Sequence, residues 1–257
     1  MIMSKEFNIV KKLSPNITKG RNGWKPDMIV SHITEGGFNG AVSWLCNPNS
    51  GVSAHFVVAK DGKITQLVEL TDTAKANGTS VDLKGKNPKM HYSLSTLSKV
   101  KDRKTNANYY TISIEHEGFS SEANGRLEPK QLEASIWLHK YIIQEVKRIY
   151  GIDIPLDRNH IVGHYQINPV TKPFCPGKNF QFDEILNSLK NDKVGELIKM
   201  ELAKWQEEMG IKSLDSLSKK KDNNRNPIVN SPDTWKETLA ENVPQWLFWS
   251  IIDRISK

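Results

Sequence analysis

Two imidazoles, one thiol and one carboxyl group stand in four short segments of this chain: His32 in MIVSHIT, His164 in NHIVGHY, Cys175 in TKPFCPG and Glu115 in YTISIEHEG. Two histidines and a thiolate are a sufficient set for a zinc ion that keeps its fourth position open to water. A carboxylate beside them would serve as the general base for that water. If the four converge, the chain is a metal-dependent hydrolase. A lone histidine at a strand end is more often a hydrogen-bonded core residue than a ligand. His164 and Cys175 carry more weight, because they share one loop whose backbone Gly163 and Pro176-Gly177 restrict. Spacing alone does not bring the segment of His32 beside that loop.

The elements that must position these groups follow from pattern. Met28 to Ile33 is an apolar strand broken by Gly36-Gly37, and Phe38 to Leu45 reads as a helix. Ala54 to Ala59 and Ile64 to Leu70 are strands joined through Asp61-Gly62, a strong hairpin signal. Thr79 to Asn108 is rich in Lys, Asn and Ser and reads as a long surface loop. Tyr109 to Ile114 is a further strand. Pro129 to Tyr150 is the clearest helix. Pro129 suits its first turn and Gly151 its C-terminal cap, and Leu132, Ile136, Ile143, Val146 and Tyr150 mark an apolar stripe. Ile161 to His164 is a short buried segment, and Phe182 to Leu189 is a helix that closes a first domain over residues 1–190.

The composition shifts beyond that helix. Val194, Leu197, Ile198, Leu202, Trp205 and Met209 keep helical spacing, Lys219 to Pro232 reads as a linker, and Trp235, Leu239, Val243, Trp246, Leu247 and Trp249 mark another helix. Residues 191–257 therefore read as a small all-α module. Its tryptophans fit core packing better than sugar stacking.

With 257 residues, 37% hydrophobic and 25% charged, the chain suffices for one sizeable core and an appendage. No apolar run approaches the ~18–20 residues of a membrane span. The start, MIMSKEFNIVKKLSP, lacks the apolar centre of a secretory signal, which implies synthesis in the cytoplasm. A net charge of +7 and a pI of 9.2 suit polyanionic partners. The densest basic cluster, Lys219-Lys220-Lys221, lies in the linker without any nucleic-acid motif. Nucleic acid is thus a poor partner, and an anionic wall polymer a better one. Two cysteines make no disulfide framework. Cys46 follows an apolar stretch and reads as a small buried residue, whereas Cys175 is held between prolines.

IVSHIT, VSAHFVVAKDGKITQLV, YTISIEHEG and IVGHYQINPVTKPFCPG, in that order, resemble the zinc N-acetylmuramoyl-L-alanine amidases. These include phage endolysins, bacterial autolysins and muropeptide-recycling amidases, and they share a fold with peptidoglycan recognition proteins. The resemblance covers roughly residues 20–190. It implies an α/β fold, a mixed central β-sheet flanked by helices, with zinc in a groove at one face. It implies that His32, His164 and Cys175 hold the zinc, that Glu115 is the catalytic base, and that Lys172 stabilises the oxyanion. Strand alternation puts Glu117 on the same face as Glu115, with His116 opposite, so geometry alone leaves either acid open; the resemblance favours Glu115. The implied substrate is peptidoglycan, cut at the amide between N-acetylmuramic acid and L-Ala. The start without a secretory signal then points to a phage or prophage endolysin that reaches the wall after release, with an intracellular recycling or mother-cell lytic amidase as the alternative.

Three positions depart from the family pattern. Lys172 stands three residues before Cys175, where relatives place a lysine two before. Ala54 precedes His55 where some phage members carry a catalytic tyrosine, which favours the glutamate-dependent subgroup. Lys75-Ala76-Asn77-Gly78 replaces a Trp-His-Ala-Gly type sequence that lines the substrate groove, so substrate contacts on that side differ. His55 reads as a structural residue or one that orients a ligand. His91, His116, His139 and His160 read as loop, sheet-face, helix-surface and pre-strand positions. Two rival readings are a wall-binding module without catalysis and a zinc peptidase cutting another amide of the stem. Binding-only relatives typically lose a ligand, most tellingly the cysteine, and this chain keeps all three.

Overall fold

The computed structural model describes residues 7–79, 81–82, 89–200, 211 and 215–221. Backbone proximity groups the chain into two units, Met1–Lys190 and Asn191–Lys257. In order, the elements are β1 (Ile9–Lys11), β2 (Ile17–Thr18), β3 (Met28–Ile33), α1 (Phe38–Leu45), β4 (Phe56–Val58), β5 (Ile64–Gln66), β6 (Thr73–Ala74), β7 (Val81–Asp82), β8 (Lys89–Met90), α2 (Ser98–Arg103), β9 (Thr111–His116), α3 (Pro129–Tyr150), β10 (Ile161–Gly163), α4 (His164–Ile167) and α5 (Phe182–Met200). The helix α5 runs past the end of the first unit. The expected Trp205 stretch, most of the linker and the helix with Trp235, Trp246 and Trp249 lie outside the described residues.

Six strands form one sheet in the order β1-β5-β4-β9-β3-β10. Every pairing is parallel except the hairpin β4·β5, so the sheet is mixed. That hairpin turns at Asp61-Gly62, where Gly62 takes a φ of 87° and Ala59 N–H donates to the Lys63 carbonyl at 2.9 Å. Helices and ordered segments cover both sheet faces. On one, Ile29, Phe56, Val58, Ile112, Ile114 and Ile161 pack against Ala134, Leu138, Ile142 and Val146 of α3 and the start of α5. On the other, Val57 meets Val42 and Leu45 of α1, and Met28, Val30 and Val162 meet Tyr92, Leu97, Val100 and Tyr110. Burial on both faces explains why all six residues of β3, the polar Ser31 and His32 included, are buried.

Several boundaries and faces differ from those expected. The stretch Thr79 to Asn108 is no loose loop along its length, since Tyr92, Leu97, Val100 and Ala107 are core residues around α2. Arg103 sits over the Tyr110 ring at 4.2 Å and pairs with Asp27 at 2.6 Å, which ties this segment to β3. The strand β9 begins at Thr111, because residues 107–110 form a 3-10 turn. The helix α3 buries Gln131, Ala134, Ser135, Leu138, His139 and Ile142. Leu132, Ile136 and Tyr150 flank that face rather than centre it. The small residues Ala134 and Ser135 let the helix approach the sheet, although neither belongs to its large apolar stripe. His139, expected on the helix surface, is fully buried, and its Nδ1 donates to the Ser135 carbonyl at 2.7 Å.

Candidate functional site

Parallel register assembles the site. In the pairing of β3 with β9, His32 stands opposite Glu115, and in the pairing of β3 with β10, Ser31 stands opposite Gly163. His164 is the next residue after Gly163. Adjacent strands lie about 4.8 Å apart, so the three side chains emerge together at the C-terminal edge of three neighbouring strands. That edge is where open α/β sheets bind ligands. The loop after α4 then folds back. Its Cys175 carbonyl accepts from Tyr165 N–H at 2.9 Å, and its Sγ accepts from Ile33 N–H at 3.4 Å. Gly163 permits this return, because a Cβ there would meet the Tyr165 ring at 2.7 Å and Pro176 Cδ at 2.9 Å.

One ligand atom from each of His32, His164 and Cys175 lies within 4.8 Å of the others. The two Nδ1 atoms face each other at 2.9 Å. His164 Nε2 donates to the Asn77 carbonyl at 3.2 Å, so its Nδ1 presents a lone pair towards His32. His32 Nε2 is buried without a hydrogen-bond partner among the described residues. Burial drives both imidazoles to low pKa, His164 to about 4 and His32 well below its ordinary value. Neutral imidazole is the form that ligates metal. Burial, reinforced by the negative charge of Glu115, pushes the Cys175 thiol up, so it ionises only beside a cation. Two neutral imidazoles and a thiol that needs a positive partner fit a borderline-soft ion of the zinc type.

The two glutamates of IEHEG have different fates. Glu117 is consumed by the backbone: its Oε1 accepts from Phe38 N–H at the start of α1 (3.1 Å), and its Oε2 from Lys60 N–H (2.8 Å). Glu115 holds Oε1 4.0 Å from His32 Nδ1, and its buried Oε2 has no partner among the described residues. Burial pushes the Glu115 carboxyl up to about 7, while the Lys172 ammonium pulls it down and Glu35 adds to the rise. Lys172 lines the same groove, and its charge bears on His32, His164 and Cys175.

These groups open into a groove of about 410 Å³ that includes Glu115, Lys172 and the three metal candidates among its walls. Trp44, 56% exposed, and Phe174, 75% exposed, also line it. Neither stands out in the sequence as a groove residue. Their exposure is the only signal, and exposure is not written in a sequence. Lys75 and Ala76 of the divergent Lys-Ala-Asn-Gly segment line the groove as well, while Asn77 contributes through its backbone. His55 stays out of the groove. It is buried, its Nδ1 accepts from Ser113 N–H at 3.0 Å, and its Nε2 faces Arg21 at 2.9 Å. Cys46 is half-buried rather than buried.

Two imidazoles, a thiol and an unpaired carboxyl at the mouth of a mixed sheet define the class of a hydrolase with a site that could hold a metal ion. The chain belongs to the N-acetylmuramoyl-L-alanine amidase family, whose model matches residues 22–178. It is accordingly a peptidoglycan amide hydrolase. It is similar to N-acetylmuramoyl-L-alanine amidase A of Achromobacter lyticus, with 29% identity over 171 residues, 62% of this chain and 80% of that protein. Among solved structures, an AmpD derivative is 19% identical with a TM-score of 0.49, covering 72% of this chain and 96% of its own. The endolysin amidase LysCS from Clostridium intestinale is 21% identical with a TM-score of 0.48, covering 73% and 98%. Among the described residues no helix is long and apolar enough to cross a membrane.

Proposed function

We propose that the groove cleaves the amide joining N-acetylmuramic acid to the L-Ala of the stem peptide, with zinc held by His32, His164 and Cys175. The observation that carries this reading is the meeting of three ligand atoms beside an unpaired, buried Glu115. When bound, the ion supplies Lewis acidity, which acidifies water and polarises a carbonyl oxygen. Glu115 takes the proton of the attacking water and hands it to the leaving alanine nitrogen. A carboxyl pKa of about 7 suits both transfers. Lys172 donates to the carbonyl oxygen as negative charge develops on it. Exposed Trp44 and Phe174 offer flat apolar faces to the sugar.

The molecule acts on the cell wall as an endolysin. Residues 1–190 carry catalysis, and residues 191–257 add wall affinity. Support for the wall as its partner comes from the net charge of +7, which favours the anionic polymers of many bacterial walls.

The test is release of alanine amino termini from purified peptidoglycan by wild type, by chelator-treated enzyme and by Glu115→Gln. Release by untreated wild type alone is the expected result, with zinc restoring the chelated sample. Intact wall binding with no release would instead mean a recognition module, and a different new amino terminus would mean a zinc peptidase.

A further inference from the structure

Lys75 stands on a wall of the groove formed with Val52, Ser53 and Ala76. Its backbone is fixed from both sides, since its N–H donates to Ser53 Oγ at 3.0 Å and its carbonyl accepts from Ser53 N–H at 3.2 Å. Its side chain is exposed, and among the described residues no carboxylate lies within ion-pair distance of it. The other lysine of the groove is Lys172, which lines it with Glu115 and Cys175. Lys75 is thus a cation fixed at its base on the groove wall, with no carboxylate in ion-pair distance among the described residues.

Its place in the chain, two residues before the backbone partner of His164, puts it within reach of one substrate group. Asn77, whose carbonyl holds His164, is two residues further along, at most about 7 Å of chain. In a peptidoglycan stem the residue after L-Ala is a glutamate linked onward through its γ-carboxyl, which leaves its α-carboxylate free. That carboxylate lies about six bonds from the scissile carbonyl carbon, again roughly 7 Å when extended. Amidation turns the same group into a neutral amide of nearly the same shape, which forfeits the charge-assisted bond to an ammonium.

Resting on the amidase reading, we propose that Lys75 binds the free α-carboxylate of the second stem residue. The groove thereby selects stems whose glutamate is unamidated.

Two synthetic muramyl tripeptides that differ only in that group, acid or amide, are titrated calorimetrically into full-length, zinc-loaded Glu115→Gln, which binds without turnover. The same titrations are made with Lys75→Met and Lys75→Arg in that background. The acid is expected to bind about tenfold more tightly than the amide, as for a hydrogen bond to a charged group. Lys75→Met brings the ratio close to one by weakening the acid alone, and Lys75→Arg retains the preference. Equal binding of both tripeptides, binding of neither, or a preference that survives Lys75→Met overturns the proposal. Wild-type release of alanine termini from whole peptidoglycan is followed in parallel. Its absence sinks the amidase reading and this inference with it, whereas its presence alongside equal affinities sinks this inference alone.

Discussion

Glu115 and Glu117 have the same parity on one strand, yet only Glu115 is free to move a proton. Both oxygens of Glu117 are occupied by backbone N–H groups of α1 and the β4–β5 turn, which makes it a structural tie. Glu115 must be ionised to act as base. Burial raises the Glu115 carboxyl and a bound cation lowers it again, so kcat/KM of the zinc enzyme is expected to rise with pH through an acid limb that lies below the metal-free value of about 7. Lys172 pulls that pKa down, so Lys172→Met should shift the limb to higher pH. The same substitution is expected to lower kcat by about 10²–10³-fold, the scale of a lost oxyanion donor. Zinc content, measured by atomic emission, should stay unchanged, because the ammonium is no ligand. Loss of zinc in Lys172→Met would count against this assignment. At this scale the residue types were legible in the sequence. The choice between two acids two residues apart was not, because it depends on which backbone donors lie within reach.

The strands β9, β3 and β10 act as a single positioning device, and a second layer braces it from α3. His116 Nδ1 donates to the His32 carbonyl at 3.0 Å, and Ser135 Oγ donates to His116 Nε2 at 2.9 Å. The chain of bonds fixes the end of β3 where His32 emerges. The fold buries several neutral histidines: His116 is held at about 3, His139 at about 4, and His55 well below the ordinary 6.5, each chiefly by burial. Such a group binds no proton in the folded state that the unfolded chain would bind below pH 6.5. Stability is therefore intact above 6.5 and falls as pH drops towards those values, by about 1.4 kcal/mol per unit for each histidine at most. Urea melts of metal-free enzyme at about pH 7 and about pH 5 should show this fall, and equal midpoints would contradict it. Gly163→Ala is a test of the loop return. The clash with Tyr165 and Pro176 should cost about 1–3 kcal/mol in urea unfolding and weaken zinc binding, since His164 is next in line.

At the scale of the molecule, charge and division into units matter most. A net charge of +7 predicts that binding to anionic walls weakens with salt. Between about 0.1 M and about 1 M the screening length falls from ~10 to ~3 Å. Co-sedimentation with purified walls should therefore drop over that range, while hydrolysis of a small soluble muropeptide changes little. A truncation after Met200, where the described part of α5 ends, is expected to keep muropeptide hydrolysis and lose part of the wall affinity. Loss of both together would mean that residues beyond 200 support the catalytic fold.

Local signals in the sequence determined a great deal: the Asp61-Gly62 hairpin, the helix from Pro129 to the Gly151 cap, the apolar run of β3, and the inventory of His32, Glu115, His164 and Cys175 in motifs of one family. Each of these depends on neighbours within a few residues. Other features depend on groups far apart in the chain. The register that sets Gly163 beside Ser31 joins residues more than a hundred positions apart, and no spacing in the sequence encodes it. The packing of Tyr92, Leu97 and Val100 against β3 turned an apparently polar loop into core, because three apolar side chains among many polar ones suffice once a sheet face is available. His139 became a buried residue because the small side chains of Ala134 and Ser135 let α3 settle close to the sheet. Residue types state what chemistry is available, and tertiary pairing decides which of them meet.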